Sequence, residues 1–362
     1  MSPTRSLREA NDRLDTQVRT LLARIGASRS VGRMLLVVLA AFTVFALLRP
    51  EVFLTGLNLQ NMALAVPEIG LLAVAMMIAM LTGGIDLSLV SIANLTAITI
   101  SSTFSLLAAQ DPARAEQAGP ALVVLGLCVG LVAGAVNGVL IAYLGITPIL
   151  ATLGTMQIFN GLAVVWTGGK TLYGSPASLT AFGQTAIAGV PMLFLVLVVV
   201  TLSVGFILTR TPFGLRLELQ GANPEAARFS GIRSRRLLMG SYVLTGFLGA
   251  VAGVVFLARN PTASADYGAS YTLLVIVIAV LGGTNPAGGY ATVTGVFLAS
   301  MVLQIVQSGF TAMRLSTFQY SIAQGVILIT VMVIDQVDWR ALLTRHRRTA
   351  PVPSTHPQEN PQ

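Results

Sequence analysis

The sequence predicts an all-α, polytopic transmembrane bundle of about ten spanning helices, each the roughly 20 apolar residues a bilayer core demands. Three observations predict it: 54% of the 362 residues are hydrophobic, only 10% are charged, and the apolar residues fall in long runs. A soluble domain carries roughly 25% charged residues, so this chain cannot build a large water-facing surface.

The spans expected along the chain are 31–49, 61–82, 87–109, 121–144, 147–167, 190–209, 237–258, 269–282, 289–309 and 317–335. The eighth is short, which marks it as tilted, partial or re-entrant. Arginines sort these runs into a topology: seven lie between Arg5 and Arg33, six between Arg210 and Arg236, and four between Arg340 and Arg348. Basic residues are retained in the cytoplasm. An even number of spans places all three clusters there, so both termini are expected inside. Three regions follow: a basic cytoplasmic segment 1–30, a transmembrane part 31–336 containing the loop 210–236, and a cytoplasmic tail 337–362 that is Pro-rich from Ala350 and expected to be disordered.

The polar start is too long for a cleavable signal, and no small-residue cleavage pattern follows the first apolar run. Within it Leu7, Leu14, Val18, Leu21 and Ile25 share one helical face. That face suits either anionic lipid or a cytoplasmic partner.

The net charge of +8 does not point to nucleic acid, because the positives cluster in three segments between apolar runs instead of covering a folded face. Cys128 is the single cysteine, and His346 and His356, the only histidines, lie in the tail. Metal sites of His and Cys, and Ser-His or Cys-His catalysis, therefore lack their parts. Gly168-Gly169-Lys170-Thr171 looks like the end of a phosphate-binding loop, but Val164 stands where that motif needs its first glycine.

The loop 210–236 contains a short helix. Asn223 is a good N-cap, Pro224 fits the first turn, Glu225 complements the helix dipole, Ala226 and Ala227 propagate, and Gly231 suits the stop. About seven residues of helix are too few to hold alone in water, so a partner is expected to dock on it.

Gly214, Gly221, Asn223, Ala226 and Gly231-Ile232 resemble the cytoplasmic coupling loop of bacterial ABC-importer permeases of the ribose type and the branched-chain-amino-acid type. Gly83-Gly84-Ile85-Asp86-Leu87-Ser88 resembles that family's break between the second and third spans. Ile146-Thr147-Pro148 through Ala151-Thr152-Leu153-Gly154 resembles the entry to its fifth span, and Leu281-Gly282-Gly283-Thr284 with Gly288-Gly289 its late Gly-rich break. The resemblance runs from about residue 57 to 335.

It implies a permease of the bacterial cytoplasmic (inner) membrane. A second permease subunit, identical or paralogous, pairs with it in the lipid bilayer, and an extracytoplasmic binding protein delivers the solute. Gly214, Arg216, Gly221, Asn223, Pro224, Glu225, Ala226, Ala227, Arg228 and Gly231 would meet one of two cytoplasmic ATP-binding subunits. ATP and Mg belong to those partners, so this chain is expected to bind no cofactor and to be no enzyme. The cargo implied is a small polar solute, a sugar or sugar-like molecule.

Charges inside a span cost at least about 2.5–3.5 kcal/mol, so each needs a reason. Asp86 serves as N-cap of the third span or lines a gate at a helix break. Glu68 sits behind Pro67, either solvated near the outer mouth or in the conduit wall. Ser88, Asn94, Asn137, Gln157, Asn160, Gln304, Ser308 and Gln324 complete the pathway candidates. Gln157 and Asn160 share a face, as do Gln304 and Ser308. Helix–helix hydrogen bonding is the alternative for each. Three rivals stay open: an ion-coupled secondary transporter, a permease of the same kind carrying a nucleoside or branched-chain amino acid, and an intramembrane enzyme, which the lack of histidine in the spans disfavours.

Overall fold

A computed structural model describes residues 29–336. The amphipathic leader positions and the tail lie outside the described residues. The helices are α1 (Arg29–Leu48), α2 (Pro50–Phe53), α3 (Gly56–Leu81), α4 (Leu89–Ala108), α5 (Pro112–Gln117), α6 (Gly119–Ala142) and α7 (Pro148–Thr167). They continue with α8 (Ala177–Gln184), α9 (Met192–Arg210), α10 (Pro212–Ala222), α11 (Pro224–Phe229), α12 (Ser234–Arg259), α13 (Tyr271–Leu281), α14 (Val293–Ala312) and α15 (Thr317–Gln336). Two small antiparallel pairs close one end: β1 (Leu172–Tyr173) with β4 (Thr262–Ala263), and β2 (Ala186–Ile187) with β3 (Val190–Pro191).

Eight described helices are long and apolar enough to cross a membrane; α13 is a shorter apolar helix of 11 residues, and α15 is a helix over the tenth expected run without being among those eight. The described residues 29–316 form one compact unit, and α15 belongs to a second, described by itself.

Chain direction gives the bundle two ends. The turns 82–88, 143–147, 211–233 and 282–292 lie at one end, called here the loop end. The β1–β4 pair lies at the other, so two loops far apart in sequence, 168–176 and 260–270, meet there.

Helix α3 is the inner post. Every residue from Val66 to Leu81 is buried, and its uniform hydrophobicity fits a helix surrounded on all sides. Its partner is α12, which packs across α3, α4 and, most extensively, α6. The α6–α12 contact depends on small residues, because lipid offers no hydrophobic drive for association and close backbone approach must supply the attraction. Gly130, Gly134 and Gly138 recur every four residues on the α6 face toward α12, and a Cβ on Gly134 would come within 3.0 Å of the Gly246 Cα. By contrast α1 shows Leu35, Leu36, Leu39 and Leu47 on its exposed surface, as a lipid-facing helix should.

Candidate functional site

At the loop end, segment 210–236 folds as two helices, α10 and α11, where the sequence suggested only the second. Asn223 caps α11: its side-chain oxygen accepts from the Ala226 amide at 3.0 Å, Pro224 opens the helix, and Gly231 follows at φ +79°. The resembled residues then divide. Asn223, Pro224, Glu225, Ala226 and Arg228 are exposed, as are Arg216 and Gly231. Ala227, expected to meet the ATP-binding subunit, is instead 3% exposed and packed against the fold. Phe229, which the sequence reading passed over, is 90% exposed at the end of α11. An aromatic in a short polar helix was the signal available for it.

Gly214 and Gly221 face inward. A Cβ on Gly214 would strike the backbone of Leu208, and one on Gly221 would strike the Leu81 carbonyl and lie 2.5 Å from the Gly289 amide nitrogen. The Gly289 amide itself donates to the Leu81 carbonyl at 3.0 Å. Gly83, Gly288 and Gly289 all adopt positive φ, at +79°, +93° and +82°, conformations that exclude ordinary side chains. A Cβ on Gly288 would meet Gly83 N at 2.8 Å and Gly221 O at 2.9 Å. Three Gly-rich motifs read separately in the sequence thus form one backbone-to-backbone junction. It ties α10 to the α3–α4 break and the α13–α14 break.

A buried polar network begins just above that junction. Thr155 Oγ1 donates to Asn137 Oδ1 at 2.6 Å, Asn137 Nδ2 to Ser88 Oγ at 2.7 Å, and Ser88 Oγ to Asp86 Oδ1 at 2.6 Å. Ser88 N adds a bond to Oδ1 at 3.0 Å, and Thr245 Oγ1 donates to Oδ2 at 3.0 Å. Every donor points toward the carboxylate, and none of these side chains is more than 2% exposed. No cation pairs with Asp86 among the described residues. Asp86 is not the N-cap of α4, because Ser88 precedes the helix; Asp86 instead closes the turn ahead of it. Thr152 fastens the same break to α7, accepting from Leu87 N at 3.1 Å and lying 3.0 Å from the Ile85 carbonyl. Asp86, Ser88 and Asn137 were sequence candidates; Thr152, Thr155 and Thr245 were not, since threonine is common in spans.

Further along α4 and α7 lies a cavity of about 260 Å³ lined by Val90, Ser91, Asn94, Met156, Gln157, Asn160, Ala265, Asp266, Ala269 and Thr272. Three sequence candidates, Asn94, Gln157 and Asn160, meet here. Asn94 Nδ2 donates to the carbonyls of Ala265 and Tyr267 at 2.8 and 2.9 Å, which folds segment 264–270 back into the bundle. Those two bonds fix the amide's orientation, and Asn94 Oδ1 is left buried without a partner, as is Asn160 Oδ1. A buried unsatisfied acceptor costs about 1–3 kcal/mol.

The remaining candidates are elsewhere. Helix α3 begins at Gly56, five residues before the expected start, so Glu68 lies about 18 Å along it at 1.5 Å per residue. It is 1% exposed, so the solvated position at the mouth is not where it sits. Its carboxylate pairs with Arg259 at 3.0 Å and accepts from Tyr267 at 2.9 Å and Tyr271 at 3.4 Å. This cluster ties α3 to the end of α12 and the start of α13. Ser308 donates to Asn58 Oδ1 at 2.9 Å, joining α14 to α3, and Gln304 is buried on the same helix. Neither lines the cavity. Gln324 is half-buried on α15. Gly168-Gly169 is a helix stop: Gly168 caps α7 at φ +62°, and Gly169 N bonds the Val164 carbonyl at 3.0 Å.

Comparison with known proteins fits this geometry. The family model described as branched-chain amino acid transport system / permease component matches residues 58–334. The ribose import permease protein of Bacillus subtilis (strain 168) is 31% identical over 295 residues, 81% of this chain and 88% of its own. The autoinducer 2 import system permease protein LsrC of Klebsiella pneumoniae is 32% identical over 314 residues, 86% of this chain and 87% of its own. The LsrD protein of Salmonella paratyphi B is 31% identical over 271 residues, covering 73% and 79%. No solved structure matched. The chain is a transport component rather than an enzyme, a multi-pass permease subunit of an ABC importer, and it belongs to the branched-chain amino acid transport system / permease component family.

Proposed function

We propose that this chain forms half of the membrane path of an importer for a sugar or sugar-like solute, with the loop end in the cytoplasm. A second permease, a copy or a paralogue, supplies the other half. That LsrC and LsrD, two permeases named for one import system, both resemble this chain supports such a pairing. Two ATP-hydrolysing subunits, which hold the ATP and Mg, dock on α11, and an extracytoplasmic binding protein delivers the cargo. The permeases named for ribose, D-allose and autoinducer 2 support the solute class.

One observation carries the mechanism: the glycine junction at Gly83, Gly221 and Gly288-Gly289. Exposed Glu225, Arg228 and Phe229 give a motor subunit something to hold on α11. The adjoining α10 then has no compliant side chains between it and the two helix breaks, so a push on α11 reaches them through backbone contacts. The break after α3 carries Asp86 and its network, and the break after α13 continues through that helix toward the Glu68–Arg259 pair. Movement of α11 can therefore re-set both ends of the path in one step. The arginine clusters, with an even number of spans between them, support cytoplasmic termini.

The test uses cells expressing the complete importer. Uptake of radiolabelled sugar is expected to stop on ATP depletion and to continue when the proton-motive force is collapsed. The opposite pattern would make the chain an ion-coupled carrier.

A further inference from the structure

We infer that the cavity between α4, α7 and segment 264–270 is a holding station for the solute within a single permease chain, and that it accepts neutral hydroxyl-rich molecules while rejecting carboxylates. The inference rests on the import function proposed above and adds a selection step inside the membrane, beyond any choice made by a binding protein.

The argument is the polarity of the groups left free. Asn94 is 3% exposed, and its Nδ2 is committed to two backbone carbonyls, so the unpartnered atom is an acceptor, Oδ1. Asn160 Oδ1 is a second buried acceptor without a partner. Ser91 donates its hydroxyl proton to the Ser88 carbonyl at 2.8 Å, so its oxygen also offers the cavity lone pairs only. Asp266, exposed at the rim, is acceptor-only when ionised. The donors on the lining are neutral ones, the amides of Gln157 and Asn160 and the Thr272 hydroxyl, and no arginine or lysine lines the space.

Such a surface is unfinished until donors arrive. Water could supply some, and a polyol supplies several from one molecule at fixed spacing. A carboxylate finds only neutral donors here, with no cation to pair with, and brings its charge toward Asp266. The volume of about 260 Å³ falls just below the roughly 300–1,000 Å³ of drug-sized sites, which suits a monosaccharide-sized guest. The position suits the task as well. Asn94 lies about 9 Å along the helix axis from Ser88, and Ser91 of the lining bonds the Ser88 carbonyl, so a guest here is one residue removed from the Asp86 network that the glycine junction moves.

The permease with its ATPase subunits, in lipid nanodiscs and without a binding protein, is titrated with D-ribose, D-allose and L-leucine by saturation-transfer NMR. Both sugars are expected to bind and to compete with each other, and leucine to give no signal. Asn160→Leu is expected to weaken sugar binding at least tenfold. Asn160 makes no side-chain hydrogen bond to the fold among the described residues, so this variant should elute and melt like the parent. Asn94→Leu would also free two carbonyls and serves as the harsher check. Equal sugar binding by parent and Asn160→Leu, no sugar binding by the parent, or leucine binding as well as sugar would each overturn the station. Sugar uptake by the complete importer is measured alongside. Uptake without station binding sinks this inference alone, whereas uptake of leucine and neither sugar sinks the proposed solute class together with it.

Discussion

The glycine junction at the loop end and the cavity midway along the bundle are built on opposite principles. At the junction, backbone meets backbone with no side chain between, and Gly289 N bonds Leu81 O across it. In the cavity, side chains converge and acceptors remain unused. A close backbone joint transmits displacement; an incompletely satisfied pocket waits for a guest. The contrast assigns motion to one region and recognition to the other. Variants at the junction should therefore damage coupling to all solutes alike, and variants in the cavity should change which solutes are held.

The largest effect is expected at Gly221. A valine there would drive its Cβ into the Leu81 carbonyl, overpacking that costs about 3 kcal/mol. Thermal unfolding should drop and ATPase binding should be lost together. Next is Glu68→Gln, which leaves Arg259 facing a neutral group. Breaking a fully buried pair costs about 3–5 kcal/mol, but the Arg259 side chain is 32% exposed, so about 2 kcal/mol is expected here. The double variant with Arg259→Met should recover most of that loss in the same melting assay.

Gly289→Ala sharpens the comparison further. Its φ of +82° and its contact with Ala222 predict about 1–2 kcal/mol of strain confined to the junction. Transport should fall severalfold while sugar binding in the cavity is kept. Phe229→Ala should have the smallest effect on stability, within about 0.5 kcal/mol, because the ring touches little of the fold. Copurification of the ATPase subunit is nonetheless expected to weaken roughly tenfold, the scale of an aromatic anchor worth about 1.4 kcal/mol at an interface.

Much of this was legible in the sequence. Hydropathy located the helices of the ten expected runs to within a few residues, apart from α3, whose first two turns contain Asn58, Gln60 and Asn61 and so read as polar; Asn58 is in fact satisfied by Phe53 O and Ser308. The Gly-rich motifs and the Asn223 cap were visible because glycine and capping residues carry conformational meaning wherever they stand. What the sequence could not supply was which motifs meet. Gly83, Gly221 and Gly288 are separated by long stretches of chain, and each alone suits a turn. The same limit explains the polar candidates: Gln157 and Gln304 look alike in a span, yet one lines a cavity and the other is buried on α14. Threonines 152, 155 and 245 were hidden for a related reason, since a hydroxyl in a span usually bonds its own helix.

The most direct test asks where α11 points and what covers it. Cys128 is the only cysteine, so Cys128→Ser gives a blank background into which Glu225→Cys is placed on the exposed face of α11. A membrane-impermeant maleimide is applied to intact cells and to inverted vesicles, with and without the ATPase subunits. Labelling only in inverted vesicles, and its loss when the ATPase subunits are present, is the expected result. Labelling of intact cells, or labelling indifferent to those subunits, would contradict a cytoplasmic loop that docks a motor.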